Sequence, residues 1–155
     1  MDIACGPGLH TLHLARALPK AHLIGVDAHV AFLDELKKKI AIHGFGDRVK
    51  CQQADMKALP FSDASFDLIW CEAAVYMMGF RAALESWRRL LKPGGCMAIS
   101  DLVWLKADRP AEAVDYWTAY PDMTTLDARR STTRACEYDL LGDFVLPADA
   151  WMVPY

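Results

Sequence analysis

The chain reads as an α/β protein built on a doubly wound, mostly parallel sheet, and three observations carry that reading. Short apolar runs alternate with amphipathic stretches of helical period from the first residue onward. The helical stretches are about 10–15 residues long, the length of a crossover between parallel strands. A glycine turn joins the first run to the first helix, and three successive strand ends present an acid on one edge: Asp2, Asp27 and Asp55.

Residues 1–4 form the first expected strand. A helix over 9–18 places Leu9, Leu12 and Ala15 on one stripe, extended by Leu18, before Pro19 stops it. Leu23-Ile24-Gly25-Val26 is a compact apolar strand ending at Asp27. A helix over 31–42 turns Phe32, Leu33, Leu36 and Ile40 inward and its lysines outward, and Gly44 closes it. A third strand covers 49–54, ending at Asp55. Turn chemistry at Pro60, Ser62, Asp63 and Ser65 precedes a fourth strand, 66–71. A helix over 81–91 buries Leu84, Trp87 and Leu91, and Lys92-Pro93-Gly94-Gly95 turns the chain into a strand over 96–100.

After Leu105 the pattern changes. Asp108-Arg109-Pro110 reads as a helix start, with Asp108 as cap or Pro110 in the first turn. The helix that follows carries Val114, Trp117 and Tyr120. A weakly patterned helix covers 125–136, and 140–146 reads as a late strand bounded by Pro147. The whole, 1–155, is one domain, with strands and helices of a binding half over 1–105 and substrate-side helices over 106–155.

Bulk composition narrows the function classes. With 155 residues, 54% hydrophobic and 24% charged, the chain is an ordinary globular domain. A net charge of -3 argues against a protein that grips nucleic acid through phosphates. No apolar run reaches the roughly 20 residues of a membrane span, and no basic-then-apolar leader is visible. Cys5, Cys51, Cys71, Cys96 and Cys136 are widely spaced and odd in number, as expected of reduced thiols in a cytoplasmic protein. His10 and His13 lack a nearby third ligand and read as surface histidines on a helix, so no metal is expected.

The chemistry-bearing residues cluster around the glycine turn. In Asp2-Ile3-Ala4-Cys5-Gly6-Pro7-Gly8 the glycines let the backbone turn tightly and a ligand approach the main chain. Thr11 stands where a dinucleotide fingerprint requires its third glycine, so a nicotinamide cofactor fits poorly. A pyrophosphate beside Asp2 would be repelled, whereas a ligand carrying an ammonium and a sulfonium would be attracted. That favours S-adenosylmethionine (SAM) over NAD. Asp27, about 20 residues past the turn, suits the hydroxyls of a ribose, the alternative being a helix cap. Asp55 could hold an adenine amino group, with Met56 over the ring, the alternative being an exposed loop acid.

In order along the chain, Asp2-x-x-Cys5-Gly6-Pro7-Gly8, Gly25-Val26-Asp27, Ala54-Asp55-Met56, Leu59-Pro60-Phe61, Ser65-Phe66-Asp67-Leu68-Ile69 and Leu91-Lys92-Pro93-Gly94-Gly95 resemble the class I SAM-dependent methyltransferases. The similarity is to the ubiquinone/menaquinone-biosynthesis-type (type 11/25-like) branch, whose sheet is Rossmann-like. Trp70 to Tyr76, Gly79-Phe80, Arg109-Pro110-Ala111-Glu112, Tyr120-Pro121 and Phe144-Val145-Leu146-Pro147 with Trp151 resemble uncharacterised bacterial members.

The resemblance implies that Ala4, Cys5, Gly6, Pro7 and Gly8 line the methionine end of SAM and that Asp27 with Ala28 holds the ribose. It implies too that Asp55-Met56 hold adenine and that Cys71-Glu72 border the methyl-transfer site, the product being S-adenosylhomocysteine. Glu72 and Tyr76 are the candidates for positioning or deprotonating a small-molecule acceptor. Tyr76, Met77, Met78, Trp104, Trp117, Tyr120 and Trp151 form an aromatic and methionine-rich set suited to an apolar acceptor pocket, the alternative for each being plain core.

Measured against that family, the chain is expected to lack the helices before the first strand and the closing hairpin of the sheet. That leaves the sheet incomplete at its C-terminal edge and implies a fragment, a longer gene product or a homodimer that completes the sheet. The competing functional readings are a SAM-binding module without turnover, an NAD(P)-dependent oxidoreductase and an RNA methyltransferase.

Overall fold

The computed structural model describes residues 1–147 and 150. Its first two thirds alternate strand and helix: β1 (Asp2–Ile3), α1 (Leu9–Ala17), β2 (Leu23–Asp27), α2 (Val30–Ile42), β3 (Val49–Gln53), β4 (Phe66–Cys71), α3 (Phe80–Arg88) and β5 (Leu91–Ile99). The five strands form one parallel sheet in the order β3-β2-β1-β4-β5. The doubly wound sheet expected from the sequence is therefore present. Its order reverses between β1 and β4, and in open α/β sheets the ligand crevice lies at that switch point, outside the carboxyl ends of the strands.

Helices cover both faces because the strand residues alternate. On β2, Leu23 packs into the cluster under α1 and α2, whereas Ile24 and Val26 pack into the cluster under α3. The first cluster holds Leu12, Ala15, Leu33, Leu36 and Ile40; the second holds Ile69, Leu84, Trp87 and Leu90. Leu36 fits closely against the sheet. A Cβ at Gly8 would lie 2.2 Å from its Cδ1, and one at Gly25 2.7 Å from its Cδ2.

Several local expectations change. Leu18 lies past the end of α1 and is exposed, and Phe32 faces solvent, edge-on to His29, because the buried face of α2 is Leu33, Leu36 and Ile40. The helix over 81–91 is shorter, and Leu91 opens β5 instead of closing α3. Lys92-Pro93-Gly94-Gly95 does not separate helix from strand. It bulges out of β5, since Phe66 pairs with Leu91 and Leu68 with Cys96, and Gly94 supplies the left-handed φ of 76° that the bulge needs.

Beyond β5 come β6 (Val103–Trp104), α4 (Ala111–Tyr116), a short 3₁₀ turn (Trp117–Ala119), β7 (Thr124–Thr125) and α5 (Leu126–Ala135). Strands β6 and β7 pair in parallel and were not foreseen. Pro110 precedes α4 without a side-chain cap, while Thr125 Oγ1 accepts the Ala128 N–H at 3.2 Å and caps α5. Residues 140–146 form no strand: Leu141 and Phe144 are more than four-fifths exposed, and the segment is tied down by Asp143 to the Arg130 guanidinium instead of by a ladder. An apolar run can line a cleft as well as a sheet, and alternation alone does not separate the two.

Truncating Leu36 leaves a cavity beside Gly8 and Gly25, which carry no side chains to fill it. Leu36→Ala is expected to lower stability by about 2–5 kcal/mol, read as the shift in urea-unfolding free energy.

Candidate active site

The turn after β1 is built from left-handed residues: Ala4 (φ 55°), Gly6 (φ 52°) and Gly8 (φ 87°). The Cys5 N–H continues the β1–β2 ladder to Val26 O at 3.0 Å, and the Gly8 N–H closes the turn on Cys5 O at 3.0 Å. The two glycines do different work. Around Gly6 a Cβ would meet nothing within 4 Å, so its side is open, whereas the Cβ position of Gly8 is filled by Leu36. Gly6 can therefore admit a ligand to the main chain, and Gly8 serves helix packing. Cys5 is buried, and its thiol, pushed up by burial, turns to Gly6 O. Pro7 lends its carbonyl to Lys39 Nζ at 2.9 Å.

Asp27 ends β2 directly beside this turn. Its Oδ2 accepts the Gly6 N–H at 2.9 Å and its Oδ1 the His29 N–H at 2.9 Å, with the carboxylate 7% exposed. Asp27 is not the cap of α2, whose N-cap is His29 without a side-chain cap bond; its carboxylate braces the backbone ahead of the helix, and each oxygen keeps a lone pair. Ala28, next in the chain, is exposed and accepts from Gln53 Nε2 at 3.1 Å.

Asp2 departs from expectation. It opens β1 instead of ending it, and pairs in register with Gly25, two residues back from Asp27. Only 2% exposed, it accepts a 2.5 Å hydrogen bond from Thr11 Oγ1. Burial pushes its carboxyl up to about 6, although the Thr11 bond pulls the other way. Asp2 is a buried support under the turn, held by the residue that replaces the third fingerprint glycine. Asp55 lies beyond β3, exposed, with Oδ1 on the Lys57 N–H at 2.8 Å. Met56 packs its side chain on the core and gives its carbonyl to Trp87 Nε1 at 2.9 Å.

Across the switch point, Cys71 closes β4, fully buried and with its thiol pushed up to about 12 by burial. Ala73 (φ 54°) then turns the chain, its N–H on Ser100 Oγ at 2.7 Å. Glu72 Oε2 stands 3.3 Å from His10 Nε2, in the first turn of α1. The sequence left His10 on the surface; the structure makes it the partner of a candidate catalytic acid. Nothing local signals this, because the two meet only when β1 and β4 lie side by side. Tyr76 is exposed, with its ring edge-on to Tyr120 at 5.9 Å.

Behind that ring lies a buried polar network that sequence reasoning missed. The Tyr120 hydroxyl donates to Asp101 Oδ1 at 2.9 Å and accepts from an Arg129 N–H at 2.7 Å. Arg129 Nε stands 2.6 Å from Asp101 Oδ2, and its other arm reaches Asp122 Oδ2 at 3.1 Å. Burial raises the Asp101 carboxyl despite the nearby guanidinium. Tyr120, 3% exposed, is thus core and not pocket wall.

A cleft of about 2090 Å³ runs along the whole of β5 and is bordered also by Glu72, Tyr76, Tyr116, Trp117, Leu141 and Phe144. Trp104 lies outside its lining, stacked under the Arg109 guanidinium at 4.9 Å. Met77 and Met78 also lie outside it, and Trp151 falls outside the described residues. All five cysteines are free thiols. Among the described residues no three metal-binding side chains gather, and no helix is long and apolar enough to cross a membrane.

Asp2 gives a pH signature. An aspartate in the unfolded chain ionises near 3.8, whereas folded Asp2 does so near 6. The neutral carboxyl is the folded state's preference, so its contribution is complete below about pH 4 and lost as pH rises through about 6. Relative to Asp2→Asn, the native chain is expected to lose up to about 3 kcal/mol over that window, measured by urea unfolding at stepped pH. A pH-independent difference would refute the assignment.

Comparison with known proteins agrees with this geometry. The methyltransferase-domain family model matches residues 1–95. Methyltransferase GfsG of Streptomyces halstedii is 28% identical, over 99% of this chain and 62% of its own length. The ubiquinone/menaquinone biosynthesis C-methyltransferase UbiE of Hahella chejuensis is 30% identical, over 84% and 54%. Among solved structures, a SAM-dependent methyltransferase from Thiobacillus denitrificans in complex with S-adenosyl-L-homocysteine aligns with TM-score 0.76 at 20% identity, over 91% of this chain and 57% of that one. The [4+2]-cyclase SpnF also aligns with TM-score 0.76, at 23% identity, over 91% and 50%. At such identities the two structures share the fold. The chain spans 62% and 54% of the lengths of GfsG and UbiE. Match to the family model over most of the chain, on a sheet and glycine turn of this form, means that the chain belongs to the methyltransferase-domain family.

Proposed function

We propose that residues 1–105 bind SAM across the switch point and that the protein transfers its methyl group to a small-molecule acceptor held on the side of 106–155. The observation that carries this reading is the pairing of Gly6 and Asp27. The open glycine of the turn and the carboxylate at the end of β2 are joined by a 2.9 Å hydrogen bond. A ligand entering there meets bare main chain and, beside it, an acceptor for two hydroxyls.

SAM supplies an activated methyl group on a sulfonium, so the chain's task is to orient an acceptor and keep water away. Gly6 lets the main chain approach the methionine portion, Asp27 with Ala28 holds the ribose, and Asp55 with Met56 holds the adenine. Glu72 stands at the mouth between α1 and β4, braced by His10, and with Tyr76 borders the acceptor. There it positions the nucleophile, or takes its proton if one must leave. The site as read requires no metal. Thr11, buried against Asp2, holds the place a nicotinamide-binding turn gives to glycine, which counts against an oxidoreductase. A net charge of -3 counts against an RNA acceptor.

A second reading, cofactor binding without methyl transfer, draws on Glu72, whose carboxylate is already engaged by His10. SAM-dependent turnover on a metabolite panel, read as S-adenosylhomocysteine release, separates the two.

Calorimetric titration tests the cofactor. SAM and S-adenosylhomocysteine are expected to bind in the micromolar range and NADH not at all; NADH binding, or no binding by the folded chain, overturns the reading. Asp27→Asn, which keeps one acceptor oxygen for the backbone, is expected to weaken S-adenosylhomocysteine at least ~tenfold. Unchanged affinity in a folded variant would remove Asp27 from the ribose site.

A further inference from the structure

The five-stranded sheet ends at β5, whose outer edge pairs with no strand among the described residues. Its amino half is guarded in the usual way, by a lysine, a proline and a bulge at 92–95. The carboxyl half is not. Cys96-Met97-Ala98-Ile99 runs straight beside Leu68–Cys71 on its inner side and carries neither a charge nor a proline. Such an edge offers unpaired N–H and C=O groups to any extended chain.

The same chain holds an apolar run of strand character without a sheet. Residues 140–146 form no strand, and the Asp143–Arg130 pair ties them down. They line the cleft that runs along β5, so the bare edge and the unpaired run of one chain stand apart across it. Leu105, Tyr116, Leu141, Phe144 and Val145 all line this cleft, each more than half exposed. Soluble proteins rarely leave large side chains clustered in this way without a partner.

Area and charge point to the occupant. Those five side chains would take about 600 Å² per copy out of water, before any main chain is covered. A standard stable interface takes about 800 Å² per partner. The lining also sets Arg88, Lys92, Arg129 and Arg130 among five carboxylates, and every one of these cations already stands beside an acid. A surface with both signs interspersed meets its own two-fold copy without the repulsion of a single-signed one.

We propose that the cleft is the interface of a homodimer in which each copy lays residues 140–146 along Cys96–Ile99 of the other. The order across the junction is then β5, the second copy's 140–146, the first copy's 140–146 and the second copy's β5. Each run keeps the side of the cleft it already lines, and the two central runs are antiparallel about the two-fold axis. Both bare edges gain partners. The contact is closed, because one patch serves both copies. The proposal concerns assembly and does not rest on the transferase reading.

Sedimentation velocity of the full chain over micromolar concentrations is expected to show a discrete dimer. Leu141→Asp and Phe144→Asp are each expected to weaken it at least ~tenfold. Ile42→Asp, at an exposed apolar residue of α2 outside the cleft, is expected to leave it unchanged. All three positions are largely exposed, so the substitutions spare the fold. Gly142→Cys adds a geometric check, since a Cβ there meets nothing within 4 Å and Cys96 is an exposed free thiol. Air oxidation is expected to give a disulfide-linked dimer whose peptide map joins position 142 to Cys96.

A monomer throughout the concentration range would overturn the proposal, as would open-ended assembly. A dimer indifferent to both aspartate variants would place the interface elsewhere. A dimer whose peptide map lacks the bond between position 142 and Cys96 would refute the interleaved order.

Discussion

The seating of Leu36 against Gly8 and Gly25 is the contact on which the site depends. Fully buried, it occupies the space that side chains at both positions would need. That draws α2 onto β2 and onto the turn after β1 at once. With α2 so placed, Asp27 at its threshold reaches Gly6, and the open side of the turn is left facing the crevice. Two glycines thus perform separate tasks within one motif. A close approach between a helix and a turn fixes the geometry, and main-chain freedom at Gly6 leaves room for a ligand.

The far side is organised by polar burial instead of apolar packing. Asp101, Tyr120, Asp122 and Arg129 bring together the end of β5, the segment before β7, and α5. Arg129 also lies over the Phe80 ring at 4.8 Å, which links the network to α3. Burying a guanidinium is costly unless its donors are matched; both terminal nitrogens bond Tyr120 and Asp122, while Nε makes a close ion pair with Asp101 Oδ2 without hydrogen-bond alignment. Tyr76 leans on that arrangement through the Tyr120 ring. The cleft along β5 is therefore shaped in part by this network, since Asp101 and Arg129 belong to its lining.

Between the two sides, the reversal of strand order at β1 and β4 creates the crevice, and His10 with Glu72 marks its rim. In the function proposed above, backbone and carboxylates on the β1–β3 side bind the cofactor, and the β4–β5 side handles the acceptor. The relatives show that such a sheet serves varied chemistries: a methyltransferase and a [4+2]-cyclase align with it equally well. Function resides in the side chains carried at its edge.

Local pattern was enough to read the parallel sheet, the main helices, the glycine turn, and the positions of Asp27, Asp55 and Glu72 at or just past strand ends. These follow from apolar periodicity, from glycine's access to left-handed φ, and from fixed spacings after strands, all of which are properties of short stretches. Long-range packing alone buries Asp2 on Thr11, fills the side of Gly8 while leaving Gly6 open, and brings His10 to Glu72. It also turned 92–95 into a bulge and left 140–146 along a cleft instead of in a sheet. Which atoms fill a glycine's empty side, and whether an acid meets water, a hydroxyl or an imidazole, depends on neighbours remote in the chain. Close packing brings those neighbours together, and no local pattern encodes them.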